Sequence, residues 1–164
     1  MFLTALKKTI FLLLLWPIGI LAQGQDFYTF IDSLLSDEIP KITVKELEKK
    51  KDFILLDVRS KEEFEISHIE DAIWVGEKKW NFKKLKKILH KQNIIVYCSV
   101  GFRSEKLARK LINQGYPKVY NLYGGIFEWI NKGKLIRNSN GLTNTIHCFD
   151  NSFAKWIKNG DIFY

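Results

Sequence analysis

Two stretches of the chain are apolar at nearly every position rather than at alternate ones. They are Phe53-Ile54-Leu55-Leu56, closing on Asp57-Val58, and Ile94-Ile95-Val96-Tyr97-Cys98. Short unbroken runs of this kind predict strands covered on both faces, as the strands of a parallel sheet are. Helical spacing lies around them. Ser104 to Gln114 places Leu107, Ala108, Leu111 and Ile112 on one face, and Gly115 stands where a C′ glycine ends a helix. Thr43-Val44-Lys45-Glu46 reads as a capping box opening a short helix to about Lys50. Lys61 to Ile66 predicts a brief helical turn and Trp80 to His90 an amphipathic helix. Ala72 to Val75 and Lys118 to Leu122 predict strands, Gly124-Gly125 a turn, and Ile126 to Asn131 a further helix. Strands alternating with helices predict an α/β domain, a central mostly parallel sheet flanked by helices. In such folds the chemistry sits at the carboxyl ends of the strands.

The pattern loosens after Lys134. Asn138-Ser139-Asn140-Gly141 is a turn, and Phe153, Trp156 and Ile157 suggest a last helix packed back on the domain. A segment of about 30 residues cannot bury a core alone. The expected organisation is therefore a domain over 42–133, an extension over 134–164 packed on it, and a leader over 25–41 with no assigned structure.

The first 22 residues change this picture. Lys7 and Lys8 precede the apolar run Ile10 to Leu15, Pro17 and Gly19 follow, and no acidic residue occurs. This is the pattern of a signal peptide, here 1–24, and its apolar run falls short of the about 20 residues that span a bilayer. The expectation is export, to the periplasm or outside, with no stable membrane insertion after removal. Among 164 residues, 46% are hydrophobic and 27% charged, which excludes a disordered chain. The net charge of +8 becomes +6 once Lys7 and Lys8 leave. Lys78, Lys79, Lys83, Lys84, Lys86, Lys87 and Lys91 supply much of it and read as a solvated helix face. Export argues against a nucleic-acid partner; a basic field still attracts small anions.

Cys98 carries the candidate chemistry. It ends a predicted strand and is followed by Gly101, Arg103 and a helix. Amides of a tight loop, the positive end of the helix and a guanidinium all lower a thiol's pKa toward the nucleophilic thiolate. Gly101 supplies the backbone freedom that a loop curling around one sulfur needs. Cys148 is the second cysteine; an even count in an oxidising compartment leaves a disulfide open. No His, Cys, Asp or Glu spacing suggests a metal site, and no cofactor is implied.

Cys98-Ser99-Val100-Gly101-Phe102-Arg103-Ser104 resembles the C-x-x-G-x-R-S segment of the rhodanese-like sulfurtransferases. Leu56-Asp57-Val58-Arg59, Glu63-Phe64 and His68-Ile69 with Ala72 are similar to further motifs of that family. So are Gly115-Tyr116, Val119 to Leu122, Gly124-Gly125 and Trp129. The resemblance covers roughly Ile42 to Lys132, and it departs at Ser67 and Asp71, where the family often has glycine. It implies the rhodanese-like three-layer fold and a double-displacement reaction. Cys98 takes the outer sulfur of a small anionic donor, thiosulfate or a persulfide, and passes it to cyanide, a thiol or a protein acceptor. Amides from Ser99 to Ser104 would cradle the persulfide, and Arg103 would hold the donor. Cysteine phosphatases of this architecture need five residues between cysteine and arginine; here four intervene, a smaller loop suited to sulfur.

Asp57 and Arg59 are expected to tie neighbouring loops together, with Glu63 as Arg59's partner four residues on. His68 is expected to be packed and hydrogen-bonded rather than a base, and His90 to lie on the solvated helix. Two other readings stay open. One is a persulfide-binding or partner-docking module without turnover, favoured by the apolar Val100 and Phe102. The other is a thiol redox protein in which Cys148 resolves the Cys98 persulfide or closes a disulfide with it.

Overall fold

The computed structural model describes residues 26–78, 80 and 93–164. The signal-peptide pattern over 1–24 and, apart from Trp80, the basic helix expected over Trp80 to His90 lie outside the described residues. Six strands come first in the chain: β1 (Lys41–Ile42), β2 (Phe53–Asp57), β3 (His68–Ile69), β4 (Ile73–Trp74), β5 (Asn93–Tyr97) and β6 (Val119–Leu122). All but β3 join one parallel sheet in the order β1-β6-β5-β2-β4. The mixed α/β architecture with a parallel central sheet is the one the pattern predicted.

The unbroken apolar runs have a direct cause. In β2 and β5 alternate residues serve different cores: Leu55, Ile95 and Tyr97 enter one cluster, and Leu56, Ile94 and Val96 the other. Side chains of a strand alternate between faces, so a sheet covered on both sides needs apolar residues at every position. The helix Phe102–Asn113 closes the second cluster with Leu107, Ala108 and Leu111, and Cys98 lies in the same cluster. The helices Val44–Leu47 and Gly125–Asn131 close the first cluster with Val44, Leu47, Ile126, Phe127 and Ile130. Thr43 and Glu46 form the expected capping box. Ser60 and Glu63 form a second one, at the start of the helix Lys61–Ile66.

The leader is structured in its described part. Residues 26–34 form a helix that buries Phe27 and Ile31, with Leu35 just beyond, and β1 then adds to the sheet edge beside β6. The spacing of Phe27, Ile31 and Leu35 is helical, a signal present in the sequence. The extension also holds more strand than its irregular pattern predicts. It contains β7 (Ile136–Asn138), β8 (Gly141–Thr143), β9 (Thr145–His147) and β10 (Asp161–Phe163). β3, β7 and β8 make a small antiparallel sheet, with the predicted Asn138–Gly141 turn between its last two strands. β9 and β10 pair in parallel. The last helix expected around Phe153 and Trp156 is a 3-10 helix, Asn151–Trp156, capped by Asp150. Its Trp156 stacks on Phe30, with ring centroids 5.0 Å apart, and meets Phe27 at 5.6 Å. Among the described residues no helix is long and apolar enough to cross a membrane.

Candidate active site

The parallel sheet delivers Cys98 at the carboxyl end of β5, where the chain must turn sharply into the helix Phe102–Asn113. Gly101 makes that turn at φ +105° as the helix N-cap, a conformation that favours glycine. Its amide donates to Cys98 Sγ at 3.1 Å. Cys98 is buried. Asn121 of β6 donates through Nδ2 to the Gly101 carbonyl at 2.9 Å, while the Ser104 hydroxyl lies 2.7 Å from Asn121 Oδ1, so the turn is fixed from two elements.

The loop is also held from outside its own segment. The amides of Ile126 and Phe127 donate to the carbonyls of Cys98 and Ser99 at 2.9 and 3.1 Å. This close approach explains Gly125. At φ +55°, a Cβ on Gly125 would lie 2.3 Å from the Cys98 carbonyl oxygen and 2.6 Å from that of Ser99, so no side chain fits without moving the loop. The sequence marks Gly124-Gly125 as a turn; what the second glycine touches is legible only in three dimensions.

Arg103 is the charged centre of the site. Its Nη1 and Nη2 donate to both oxygens of Glu63, at 2.8 and 2.7 Å. Nη1 also pairs with Glu77, and Nη2 donates to Ser99 Oγ at 2.8 Å. The ring of Phe149 covers the guanidinium, 4.3 Å from Cζ to the ring centroid. Burial would lower the Arg103 pKa, but Glu63, the Cys98 sulfur and Glu77 outweigh it and push it above its ordinary value. Arg103, expected to hold an anionic donor, already has its Nη groups paired with Glu63, Glu77 and Ser99. Val100 is buried and Phe102 exposed.

The structure corrects the expected Glu63–Arg59 pair. Glu63 caps its own helix through the Ser60 amide and aims at Arg103, while Arg59 turns inward to Asp57. Arg59 and Asp57 are both fully buried, their shortest contact is 2.6 Å, and Arg59 Nη2 also donates to the Ser67 carbonyl at 2.6 Å. These two residues brace the loop between β2 and β3; among the described residues their side chains hydrogen-bond to each other and to the Ser67 carbonyl. His68 is packed: its Nδ1 lies 2.9 Å from the Phe64 carbonyl oxygen and its ring stacks on Phe64.

Both cysteines are free thiols, and Cys148 lies in the first core cluster, away from the cluster of Cys98. Burial pushes the Cys148 thiol up, against thiolate chemistry. Among the described residues no group of three His, Cys, Asp or Glu is placed to hold a metal ion.

Glu63 gives the site a pH signature. Burial would raise its pKa, but the Arg103 hydrogen bond and charge, then Arg59 and the Ser60 amide, hold it down at about 2. A carboxylate depressed on folding stabilises above its unfolded pKa and loses that contribution as pH falls through the folded value. The Glu63–Arg103 contribution is therefore complete above about pH 4.5, fades below it and is gone near pH 2. Chemical denaturation across this window should show a shallower acid limb for Glu63→Gln than for the wild type; equal slopes would mean that the pair does not persist in solution.

A twisted parallel sheet that presents a cysteine on a tight loop, closed by an arginine and a helix, defines a cysteine-loop α/β domain. The model of the rhodanese-like domain family matches residues 41–132, and the chain belongs to that family, a family of sulfurtransferases. It is 31% identical over 96 residues to the thiosulfate sulfurtransferase GlpE of Coxiella burnetii, covering 58% of this chain and 89% of that one. It is 36% identical over 88 residues to the tRNA uridine(34) hydroxylase of Wigglesworthia glossinidia brevipalpis, covering 50% of this chain but only 28% of the relative. A crystal structure of thiosulfate sulfurtransferase from Pseudomonas aeruginosa superposes with a TM-score of 0.58 at 21% identity, over 68% of this chain and 23% of that one, a likeness of fold.

Proposed function

We propose that the protein is a sulfurtransferase that carries sulfane sulfur as a persulfide on Cys98. The observation that carries this reading is the buried Cys98 sulfur within 3.1 Å of the Gly101 amide, on a loop whose closing residue is the arginine that pairs with Glu63. The Cys98 thiolate attacks the outer sulfur of a donor. With thiosulfate the S–S bond breaks and sulfite leaves; with a persulfide a thiolate leaves. The Cys98 persulfide then yields its outer sulfur to a thiol or cyanide, and the thiolate returns. The Gly101 amide, as a donor, and Arg103, through its charge, stabilise the sulfur anion at both stages. No base is required, since the nucleophile reacts as the anion.

Export belongs to the same reading. Cleavage after Gly24 would remove the basic and apolar leader while keeping the helix over 26–34, whose Phe27 and Ile31 complete the core. The extension over 134–164 then travels as part of one folded unit.

The test is the intact mass of reduced protein before and after a sulfur donor, beside thiocyanate formation when cyanide follows. A gain of one sulfur atom that cyanide removes, with an equal yield of thiocyanate, is the expected result. Protein that takes up no sulfur from any donor would sink the enzyme reading in favour of a binding module.

A further inference from the structure

The surroundings of Arg103 say which donors suit the site. A guanidinium has five N–H donors. All four on Nη1 and Nη2 are spent, two on Glu63, one on Glu77 and one on Ser99. Among the described residues, Arg103 therefore faces two carboxylates, Glu63 and Glu77, before Cys98 ionises. The guanidinium face that remains is covered by Phe149.

Phe149 belongs to the extension, outside the stretch matched by the family. Its backbone sits at φ +68°, where a bulky residue is strained, and it is held there by neighbours. Its amide donates to His147 Nδ1 at 2.9 Å, and the Phe153 ring meets it edge-on at 5.5 Å. Despite being half-exposed it is pinned over the Arg103 guanidinium. Phe102, in the sulfur loop itself, is exposed at 59%. Phe149 thus lies over an arginine whose Nη donors are all spent, and Phe102 adds an exposed aromatic ring on the sulfur loop.

We propose that the site takes its sulfur from an organic persulfide of low charge with an apolar body, and discriminates against small dianions such as thiosulfate. This rests on the sulfur-transfer reading above. A dianion approaching a thiolate meets like charge and finds no open Arg103 Nη donor unless Glu77 leaves, and like charges brought together at a site are costly. The basic surface attracts anions at long range, but at 0.1 M salt that field decays within about 10 Å, so the last step is decided by these groups. A persulfide R–S–SH places R against Phe102 and Phe149. Cys98 thiolate attacks the outer sulfur, the S–S bond of the donor breaks, R–S⁻ leaves with its R–S bond intact, and Cys98 carries the transferred sulfur as a persulfide with the proton on its outer sulfur. No net oxidation or reduction occurs.

The experiment compares the rate of Cys98 sulfur uptake from thiosulfate and from benzyl persulfide, by quenched intact mass with peptide mapping. Each rate is divided by that of 2-mercaptoethanol with the same donor, to remove intrinsic reactivity. The expected result is a normalised preference for benzyl persulfide of at least about tenfold, the scale of one unfavourable charge contact. Glu77→Gln should shrink that preference severalfold by raising the thiosulfate rate, and Phe149→Ala should shrink it by raising the half-saturating persulfide concentration. Equal normalised rates, or a thiosulfate preference, overturn the inference on the wild type alone, whatever becomes of the variants. A preference that Glu77→Gln leaves intact in folded protein also overturns it. Uptake from neither donor overturns the sulfur-transfer reading itself, a result distinct from uptake with the wrong preference.

Discussion

Cys98→Ser is expected to keep its unmodified mass in the presence of any sulfane-sulfur donor and to lose sulfur transfer by at least about 10⁴-fold, the scale on which an enzyme fails when its covalent nucleophile is removed. The substitution is nearly isosteric, and the Gly101 amide that now donates to Sγ at 3.1 Å retains an acceptor, so the fold should hold. The chemistry does not survive. A serine hydroxyl is un-ionised at neutral pH and needs a base, and His68 is turned to the Phe64 carbonyl. Intact mass and thiocyanate formation check the result, with unfolding curves confirming a folded variant. Sulfur uptake by Cys98→Ser would place the reaction on Cys148, and Cys148→Ser would then be the decisive comparison. The wild-type behaviour of Cys148→Ser is the expected outcome, since burial disfavours its thiolate and the two cysteines lie in separate core clusters.

Asp57→Ala should be the most damaging single change to stability outside the sulfur loop, costing about 3–5 kcal/mol. Arg59 is fully buried, and Asp57 takes its Nε and Nη2 protons. Burial alone would lower the Arg59 pKa, but Asp57 overrides it, so the guanidinium stays charged in the core. Without Asp57 the buried cation keeps the Ser67 carbonyl, the face of Tyr97 and the field of Glu63, but no carboxylate hydrogen-bonded to it. Against a typical domain stability of about 5–15 kcal/mol, such a loss removes a large share of the total. Urea denaturation would measure it. The paired substitution Asp57→Leu with Arg59→Met should recover part of the loss, because no unpaired charge stays buried, while the Ser67 carbonyl and the Arg59 amide lose their partners. A single variant within about 1 kcal/mol of wild type would show that water reaches Arg59, since that is the range of an exposed ion pair.

Aromatic residues from beyond the family match complete the site in this chain. Phe149 on Arg103, with Phe153 behind it, gives the extension over 134–164 a part in the chemistry as well as in the core. Removing the extension would therefore alter donor choice and stability together, which is why the point substitutions at Phe149 and Glu77 are the cleaner instruments.

By itself the sequence determined the central architecture and the nucleophile, because both are written in short-range signals. β2 and β5 show as unbroken apolar runs since their two faces serve two cores, and the helix after Gly101 shows in the spacing of Leu107, Ala108 and Leu111. Cys98, Gly101, Arg103 and Ser104 lie within seven consecutive residues, so their mutual placement is nearly a local matter. Only the tertiary structure decided the partners. Glu63 reaches Arg103 across 40 residues, and the sequence offered Arg59 as its nearer partner because helical spacing counts neighbours along the chain alone. Gly125 presses on the Cys98 carbonyl, Phe149 covers Arg103, and β3 pairs with β7, each across a long separation and none with a periodic signature. Strands of two or three residues are too short to show an alternation, and a side chain's charge says nothing of which opposite charge the folded chain brings to it.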